Sequence, residues 1–356
     1  MVCDIKNVLF IVFLIALCFL AIPVKVTKPS LDQKLELFQS FQQRYKKSYS
    51  KDEHETRFKN FEKSLDIIEE LNKNRPSPES ARYGITEFSD LSEEEFKSHH
   101  LRHSVNKHVL VSHHHNHEHH HNHVKKRSLQ AVSLPTGIPP KKDWRESGII
   151  GKVRNQETCG ACWAFSTVET AESMNALKNG TLTTLSVQEV IDCAGNGNMG
   201  CNGGDFCALL DWIDVNKVVL EPESDYPLLL RDAVCKRKPG PSTKGVKIKS
   251  YTCDTLIPSE SSILTDLATH GPVIAAVNAL TWQYYLGGVI QYNCDGSLTN
   301  INHAVQIVGY DSTAGIPHYI IRNSWGTGFG DSGYVYLAIG SNVCGITTEL
   351  STLDVE

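Results

Sequence analysis

The 356-residue sequence has no strong excess of either charge and, after residue 22, no long apolar run. Its formal net charge is −5, with both signs spread along the chain. This balance excludes a general attraction to nucleic acid or to an anionic membrane surface. The apolar run at residues 8–22 is about 15 residues long, shorter than the roughly 20 that a membrane-spanning helix needs. We therefore predict a signal peptide at 1–22 and no stable membrane insertion; an uncleaved signal anchor is the alternative.

Cysteine is absent from residues 19–158. Two of the eleven cysteines, Cys3 and Cys18, belong to the leader, and the other nine lie between residues 159 and 344. Entry into the secretory pathway would allow these nine to form disulfides. Because nine is an odd number, at least one cysteine is left outside a bridge, which indicates a reactive thiol.

Composition changes twice along the chain. Residues 31–72 carry apolar side chains at intervals of three and four, which predicts helix, and Ser92 with Glu95 forms a capping-box pattern. Residues 99–127 are of low complexity, with eight histidines among residues 113–123, and this composition predicts a linker without a core. From about residue 138 the chain has a globular composition. A helical stretch at 162–178 and β-branched runs after about 245 predict two subdomains with a cleft between them.

Residues 156–165 read "QETCGACWAF" and contain a pair of cysteines, Cys159 and Cys162. Such a pair can be half of a zinc site or a redox pair. No second pair of similar spacing follows, and a helical segment rather than a βα unit comes before it, so both interpretations are disfavoured. The remaining interpretation is one structural cysteine and one nucleophile. Cys162 lies at the start of the predicted helix, where the helix dipole and free N–H groups favour a thiolate.

A thiolate nucleophile needs a partner that holds its proton, and histidine suits this role near neutral pH. His303 begins the predicted strand "HAVQIVGY". Asn323, in "RNSWG", would orient the imidazole, and Trp325 would cover that hydrogen bond. His270 and His318 lack such surroundings, and we predict that they are structural or surface residues.

The blocks "QETCGACWAF", "NHAVQIVGY" and "RNSWGTGFGDSGY" resemble the active-site blocks of the papain-like cysteine proteases, and the resemblance covers about residues 31–356. It implies an α+β, papain-like fold with a helical left subdomain, a β-barrel-like right subdomain and the active-site cleft between them. It also implies a cysteine endopeptidase, made as a zymogen, that works through an acyl-enzyme on Cys162 with His303 as acid and base. Asn323 would orient His303, and the Gln156 side chain with the Cys162 N–H would form the oxyanion hole.

The spacing from the cysteine to the asparagine is slightly longer than is usual in the family. His303 follows Cys162 by 141 residues and Asn323 follows it by 161, whereas about 130–150 is usual. We expect the additional residues in the loop at 311–318.

The same resemblance implies which residues bind substrate. Two glycines would let the substrate backbone lie close, and other residues would line the pocket for the side chain two residues before the cut. A carboxylate at the base of that pocket, Glu349, would favour arginine or lysine; the alternative is that Glu349 turns outward to solvent. The expected substrate-binding residues are Gly203, Gly204, Ala276, Ile301, Asn302, Trp325 and Glu349. No cofactor and no metal are expected.

Three disulfides follow from the family pattern: Cys159 with Cys201, Cys193 with Cys235, and Cys294 with Cys344. Two further cysteines, Cys207 and Cys253, lie outside that pattern. Either they form a fourth bridge or both are thiols, and we favour the bridge.

The segment before the linker matches the family's propeptide. Glu53, Arg57, Phe61, Ile68 and Asn72 fit the helical motif, with Ser64 where asparagine is usual, and Gly84, Phe88 and Asp90 fit the second motif, with Thr86 where asparagine is usual. We therefore predict an inhibitory propeptide at 23–137, helical over 31–98 with the His-rich linker at 99–127, and a mature peptidase at 138–356. An independent helical domain is the alternative. The implied partners are protein or peptide substrates, the chain's own propeptide and cystatin-type inhibitors, with no nucleic acid.

Other functions and features bear on the same chain. A secreted metal-binding protein would use the histidine tract, yet the tract lies between propeptide and enzyme and would be discarded on activation. An exopeptidase would need an insertion that closes one end of the cleft, and the short segment at 193–201 holds none.

Asn179, in Asn-Gly-Thr, is an N-glycosylation sequon. We expect the protein in the secretory pathway, in the lysosome or outside the cell.

Three roles remain for the histidine tract: a tolerated linker, a pH sensor or a metal site. If it senses pH, its histidines gain charge as pH falls toward about 5, repel one another and loosen the propeptide. Replacing the tract with Gly and Ser should then shift the pH at which the zymogen processes itself, followed by gel analysis across a pH series. An unchanged profile would leave the tract as a passive linker, and a chelator-dependent profile would indicate a metal.

Overall fold

A computed structural model describes residues 28–73, 75–101, 134–237, 244–256 and 259–356. The predicted signal peptide and most of the predicted linker lie outside these residues. The chain divides into two compact units, Met1–Tyr49 and Ser50–Glu356. Within the described ranges, no helix has both the length and the apolar character needed to cross a membrane.

The described part of the first unit is dominated by helix α1 (Leu31–Tyr45). Ser30 and Gln33 form a reciprocal capping box at its start. Lys46 adopts a left-handed conformation with φ of 54° and ends the helix. The pattern at 31–72 thus forms two helices, because the chain breaks at 46–50 before the next helix begins.

The second unit begins with the rest of the propeptide segment, which contains α2 (Lys51–Asn72), β1 (Arg82–Tyr83) and α3 (Glu93–His100). Ser50 and Glu53 cap α2, and Ser92 and Glu95 form the predicted capping box of α3. Strand β1 pairs antiparallel with β7 (Tyr285–Gly287). The propeptide segment therefore adds a strand to the globular part rather than standing apart from it.

The helical subdomain contains α4 (Cys162–Asn179), α5 (Val187–Cys193) and α6 (Phe206–Val215). Helix α4 is buried at every position from Cys162 to Ala176 rather than along one stripe. The reason is tertiary, because α4 packs against α6 on one side and against strands of the sheet subdomain on the other. Gly180, with φ of 72°, ends the helix as expected.

The sheet subdomain is built on an eight-stranded sheet in the order β5-β12-β6-β9-β10-β11-β8, with β2 also paired to β9. A separate three-stranded sheet, in the order β13-β4-β3, buries its apolar side chains in the cluster around α4. Helix α7 (Glu260–Thr269) packs on β6 and β9. The remaining strands are β2 (Lys141–Asp143), β3 (Val219–Leu220), β4 (Val246–Tyr251), β5 (Asp254–Thr255), β6 (Val273–Val277), β8 (Val289–Ile290), β9 (His303–Asp311), β10 (His318–Arg322), β11 (Tyr334–Ala338), β12 (Glu349–Ser351) and β13 (Leu353–Val355). The predicted strand runs are confirmed, and the fold class is α+β.

Strands β6 and β9 join the two subdomains. Alternate residues of a strand point to opposite faces, and here Ile274, Ala276 and Ala304 belong to the apolar cluster around α4, while Ala275 and Val305 belong to the cluster of the sheet subdomain. This shared packing places the end of β9 that begins at His303 beside the helix that begins at Cys162.

A group of buried charges lies beneath α4. Arg154 pairs with Glu169 at 3.2 Å, with Glu172 at 2.9 Å and with Glu223 at 3.0 Å, and Arg322 also pairs with Glu169 at 3.2 Å. Burial raises the pKa of Glu172 to about 7, although Arg154 acts in the opposite direction. Burial thus makes this carboxyl hold its proton to a higher pH than an exposed glutamate does.

Glu172 predicts a pH dependence of stability. Its pKa is raised on folding, so the folded state keeps a proton that the unfolded chain releases, and the free energy of unfolding falls as pH rises from about 4.5 to about 7. Glu172→Gln, which has no proton to release, should flatten this dependence by up to about 3 kcal/mol in urea unfolding curves. The exposed Glu146→Gln is the control, and equal slopes for Glu172→Gln and wild type would contradict the argument.

Candidate functional site

Cys162 is the first residue of α4, and Ala161 before it offers no side-chain cap. The helix N-terminus thus directs free N–H groups and positive partial charge toward the thiol, which favours the thiolate. Of the cysteines in the described ranges, Cys162 alone is outside a disulfide. This agrees with the prediction that an odd cysteine count leaves one cysteine outside a bridge, and the reactivity of its thiol stays a prediction.

His303 and Asn323 come from neighbouring strands, since His303 begins β9 and Asn323 directly follows β10. The Nε2 atom of His303 lies 2.7 Å from Oδ1 of Asn323, so the hydrogen bond expected from the sequence is present. The Trp325 ring packs against the imidazole with ring centroids 4.9 Å apart. All three side chains are buried, so this hydrogen bond is kept from water. Strands β9 and β10 are joined by a loop between Asp311 and His318, where we predict the additional residues to lie.

Gln156 links the segment before α4 to the segment after β10. Its Oε1 accepts a hydrogen bond from Ser324 Oγ at 2.6 Å, and its backbone N–H donates to the Ser324 carbonyl at 2.8 Å. Its Nε2 donates to the carbonyl oxygens of Cys159 at 2.9 Å and of His100 at 3.2 Å. The amide is therefore fixed at one end by the protease and directed at the other end toward a propeptide carbonyl.

His100, assigned to the linker from sequence, is instead the last residue of α3 and lies against the site. Its ring packs on Phe88 at 4.6 Å, on Phe96 at 5.4 Å and on Trp325 at 6.4 Å between centroids, and only 7% of the residue is exposed. Phe96 and His100 are four residues apart, a spacing that places them on one face of a helix. The histidine-rich composition that begins at residue 99 hid this pattern in the sequence.

The two departures from the propeptide motifs contact one segment of the protease, residues 280–284. Ser64 Oγ donates to the Ser89 carbonyl at 2.8 Å and lies 3.2 Å from the Tyr284 hydroxyl. Thr86 Oγ1 donates to the backbone carbonyl of Gln283. Both hydroxyl groups therefore satisfy buried polar partners at positions where asparagine is usual.

The propeptide segment is also tied together internally. Arg57 pairs with Glu95 at 2.9 Å and so joins α2 to α3. The Asn72 side chain donates to the Tyr83 carbonyl at 2.8 Å and accepts from the Tyr83 N–H at 3.2 Å, which joins α2 to β1. Residues of the helical propeptide motif thus join α2 to both α3 and β1.

The predicted substrate-binding residues lie on both sides of the junction between the subdomains. Gly203 has a φ of 113°, and a Cβ on Gly204 would come within 2.6 Å of the Trp163 ring, so only glycine fits at either position. Ala276 lies on β6, and Ile301 and Asn302 directly precede β9. The Asn302 side chain is held by the Ala279 N–H at 2.9 Å and by Asn278 Oδ1 at 3.1 Å.

Glu349 begins β12 and is 4% exposed, so it does not turn outward to solvent. A carboxylate oxygen of Glu349, a carboxylate oxygen of Asp205 and the Cys207 sulfur lie within 4.8 Å of one another. Asp205 directly follows Gly204 and caps α6 by accepting from the Ala208 N–H at 3.0 Å. Sequence reasoning did not single out Asp205, because its proximity to Glu349 depends on two elements far apart in the chain.

The structure contains four disulfides. Three are the expected bridges Cys159–Cys201, Cys193–Cys235 and Cys294–Cys344, and the fourth joins Cys207 to Cys253. Cys207 and Cys253 are therefore bridged, which confirms the favoured alternative.

Other histidines and the sequon lie as the sequence suggested. His270 Nε2 lies 3.0 Å from an Asp354 carboxylate oxygen, and His318 Nδ1 lies 2.7 Å from the Ile316 carbonyl. Burial lowers the pKa of His318 below its ordinary value. Asn179 is exposed at the last turn of α4. None of these three residues belongs to the Cys162–His303 site.

Comparison with known proteins places this geometry in a family. Residues 138–353 match the papain family cysteine protease model, and residues 38–96 match the cathepsin propeptide inhibitor domain (I29). Human cathepsin O is 41% identical over 294 residues, which cover 82% of this chain and 86% of that protein, and mouse cathepsin O is 36% identical over 274 residues, which cover 77% and 82%. Within the family, the stretches at 281–291 and 340–346 predict a similarity to cathepsin O, and these matches confirm it.

Solved proforms agree. The recombinant stem bromelain precursor superimposes with a TM-score of 0.72 at 29% identity, covering 91% of this chain and 99% of its own. Digestive procathepsin L 3 of Tenebrio molitor larval midgut gives 0.71 at 30% identity, covering 92% and 100%. The chain therefore belongs to the papain family of cysteine proteases and, with its inhibitory propeptide domain, is the zymogen of such a protease.

Proposed function

We propose that the chain is a cysteine endopeptidase of the secretory pathway, acting in the lysosome or outside the cell, with Cys162 as its nucleophile. The observation that carries the proposal is the combination of a thiol at the N-terminus of α4 with the His303–Asn323 pair at 2.7 Å. Such a thiol, with an oriented imidazole on the adjoining strand, is the arrangement of nucleophilic catalysis.

The proposed mechanism assigns one task to each group. Because Asn323 engages Nε2 of His303, Nδ1 is the ring nitrogen that exchanges a proton with Cys162. The Cys162 sulfur attacks the peptide carbonyl carbon, and the C–N bond breaks as the His303 proton passes to the leaving amine. Water, deprotonated by His303, then hydrolyses the thioester, which releases the acid and restores the thiol–imidazole pair.

The oxyanion formed in each step would be held by Gln156 Nε2 and by the backbone N–H of Cys162. In the zymogen, Gln156 Nε2 donates to the His100 carbonyl at 3.2 Å, and Trp325 is covered by the His100, Phe88 and Phe96 rings. The propeptide thus engages the donor that a substrate oxyanion requires. This contact supports inhibition by occupation of the site.

Cys162→Ser should abolish peptide hydrolysis and labelling by thiol-directed epoxides without loss of the fold. Gln156→Ala should lower kcat by roughly 10²–10³, the usual cost of removing one oxyanion donor. The control is His318→Asn, which changes a half-buried histidine outside this site and should retain activity. Kinetics with a fluorogenic peptide and circular dichroism of each variant measure these effects; full activity of Cys162→Ser would refute the assignment.

For specificity, we propose that Glu349 forms the base of the pocket for the side chain two residues before the cut, and that this side chain is arginine or lysine. Its burial at 4% exposure supports the proposal, because a buried carboxylate without solvent gains most from a cationic partner. Ala276 and Ile301, both buried and apolar, would line the aliphatic part of the same pocket.

Two peptide substrates that differ only in Arg or Phe at that position test the pocket. Glu349→Ala should lose kcat/KM on the Arg substrate selectively, by about 1–3 kcal/mol of transition-state binding. The Phe substrate is the internal control, since it makes no ionic contact with the carboxylate. Equal losses on both substrates, or none, would contradict the placement of Glu349.

The remaining assignments follow from the same interpretation. Exposure of Asn179 supports a glycan on the sequon, which the secretory route would make possible. The segment between Cys193 and Cys201 is short and carries no insertion, which supports an endopeptidase over an exopeptidase. Cystatin-type inhibitors would compete with substrate at this cleft.

A further inference from the structure

The Cys207–Cys253 disulfide occupies a distinctive position in the fold. Cys207 is the second residue of α6, which begins directly after Gly203, Gly204 and Asp205. Cys253 lies between β4 and β5. The bridge therefore connects the glycine-bearing wall of the helical subdomain to the first residues of an edge strand of the eight-stranded sheet.

That edge strand is the pairing partner of Glu349. Strand β5 has two residues and pairs antiparallel with β12, with Thr255 opposite Glu349 and Asp254 opposite Leu350. Within the described residues, β5 is the last strand on its side of the sheet. Because a two-residue edge strand has few ladder hydrogen bonds, its position depends strongly on a covalent tether next to it.

The other three bridges do not make this connection. Cys159–Cys201 and Cys193–Cys235 each join segments of the helical subdomain, and Cys294–Cys344 joins two loops of the sheet subdomain. Only Cys207–Cys253, among the bridges of the described ranges, ties α6 to the border of the eight-stranded sheet.

The tether also sets two carboxylates beside each other. Asp205 is fixed by its capping bond to α6, and Glu349 is fixed by β12, yet their carboxylate oxygens and the Cys207 sulfur lie within 4.8 Å of one another. Because the Cys207 sulfur is bonded to Cys253, it is not available as a thiolate ligand for a metal. The three groups are better understood as part of the wall of the substrate cleft that continues from Gly203 and Gly204.

We propose that the Cys207–Cys253 disulfide is a positioning element for the specificity pocket, and that it holds the Glu349 strand against Asp205 so that the pocket selects arginine. This rests on the proposed function of Glu349. A planar guanidinium has several donors and bonds two carboxylates at once, whereas a lysine ammonium is a compact point charge. Separation of β5 from α6 would increase the distance between the carboxylates and weaken this match.

The test uses the full-length chain, activated after expression, with three peptides that carry Arg, Lys or Phe two residues before the cut. For Cys207→Ser/Cys253→Ser we expect KM on the Arg peptide to rise about tenfold, with kcat little changed and with the Phe peptide unaffected. Asp205→Asn, which leaves the bridge intact, should lower the Arg-to-Lys ratio of kcat/KM severalfold. Cys193→Ser/Cys235→Ser removes a bridge elsewhere and should leave the ratios unchanged.

The outcomes separate the two proposals. If Glu349→Gln lowers the Arg preference but the Cys207→Ser/Cys253→Ser variant keeps it, the bridge has no positioning role and the inference is overturned. If wild type shows no Arg preference and Glu349→Gln changes nothing, the pocket assignment itself has failed. Equal losses of the Arg and Phe peptides in the bridge variant would indicate general destabilisation and would also overturn the inference.

A second measurement tests the proposal without the Cys207→Ser/Cys253→Ser variant, in case that variant does not fold. Cys253 is exposed, so graded dithiothreitol should reduce the bridge in the folded wild-type enzyme, with alkylation of Cys207 and Cys253 followed by mass spectrometry. The Arg-to-Phe ratio should fall in proportion to the reduced fraction. A constant ratio over full reduction would refute the proposal.

Discussion

The burial of α4 on all sides is the constraint on which the rest of the molecule depends. A helix that is enclosed by α6 on one side and by β9 on the other has one possible position, and its first residue is Cys162. Because β9 packs on that helix and begins at His303, the thiol and the imidazole come from two elements that cannot move independently. The site is thus a consequence of core packing, and the hydrogen bond that Asn323 Oδ1 accepts from His303 adds the orientation of the ring.

The same burial has an electrostatic consequence. Enclosing α4 also encloses Glu169 and Glu172, and the chain compensates with Arg154 and Arg322. Desolvation nevertheless raises the pKa of Glu172 to about 7, because burial favours the neutral form of this carboxyl. A similar effect acts on Glu189, whose pKa burial raises to about 7. Two buried acids with raised pKa values make the folded state more stable at mildly acidic pH than at pH 7 and above.

The propeptide segment from Ser50 onward contacts the protease part at three places. Its strand β1 pairs with β7, and the hydroxyl groups of Ser64 and Thr86 form hydrogen bonds with residues 283–284. Its His100 carbonyl accepts a hydrogen bond from Gln156. Each contact is modest alone, since a hydrogen bond contributes about 1 kcal/mol net. Their connection through one folded segment, held by Arg57–Glu95 and by Asn72, makes the contacts act together.

The sequence by itself determined what depends on short-range patterns. The capping box of α3, the strand runs and the helix at Cys162 were predictable, because local periodicity and spacing encode them. Short motifs that resemble those of the papain-like proteases indicated Gln156, His303 and Asn323. The odd cysteine count likewise indicated the thiol. What only the tertiary structure decided are contacts between distant segments: the burial of α4 on every side, the placement of His100 against Trp325, and the meeting of Asp205 with Glu349 beside the Cys207–Cys253 bridge. These depend on how helices and sheets pack, and packing joins residues more than a hundred positions apart, for which no local pattern exists.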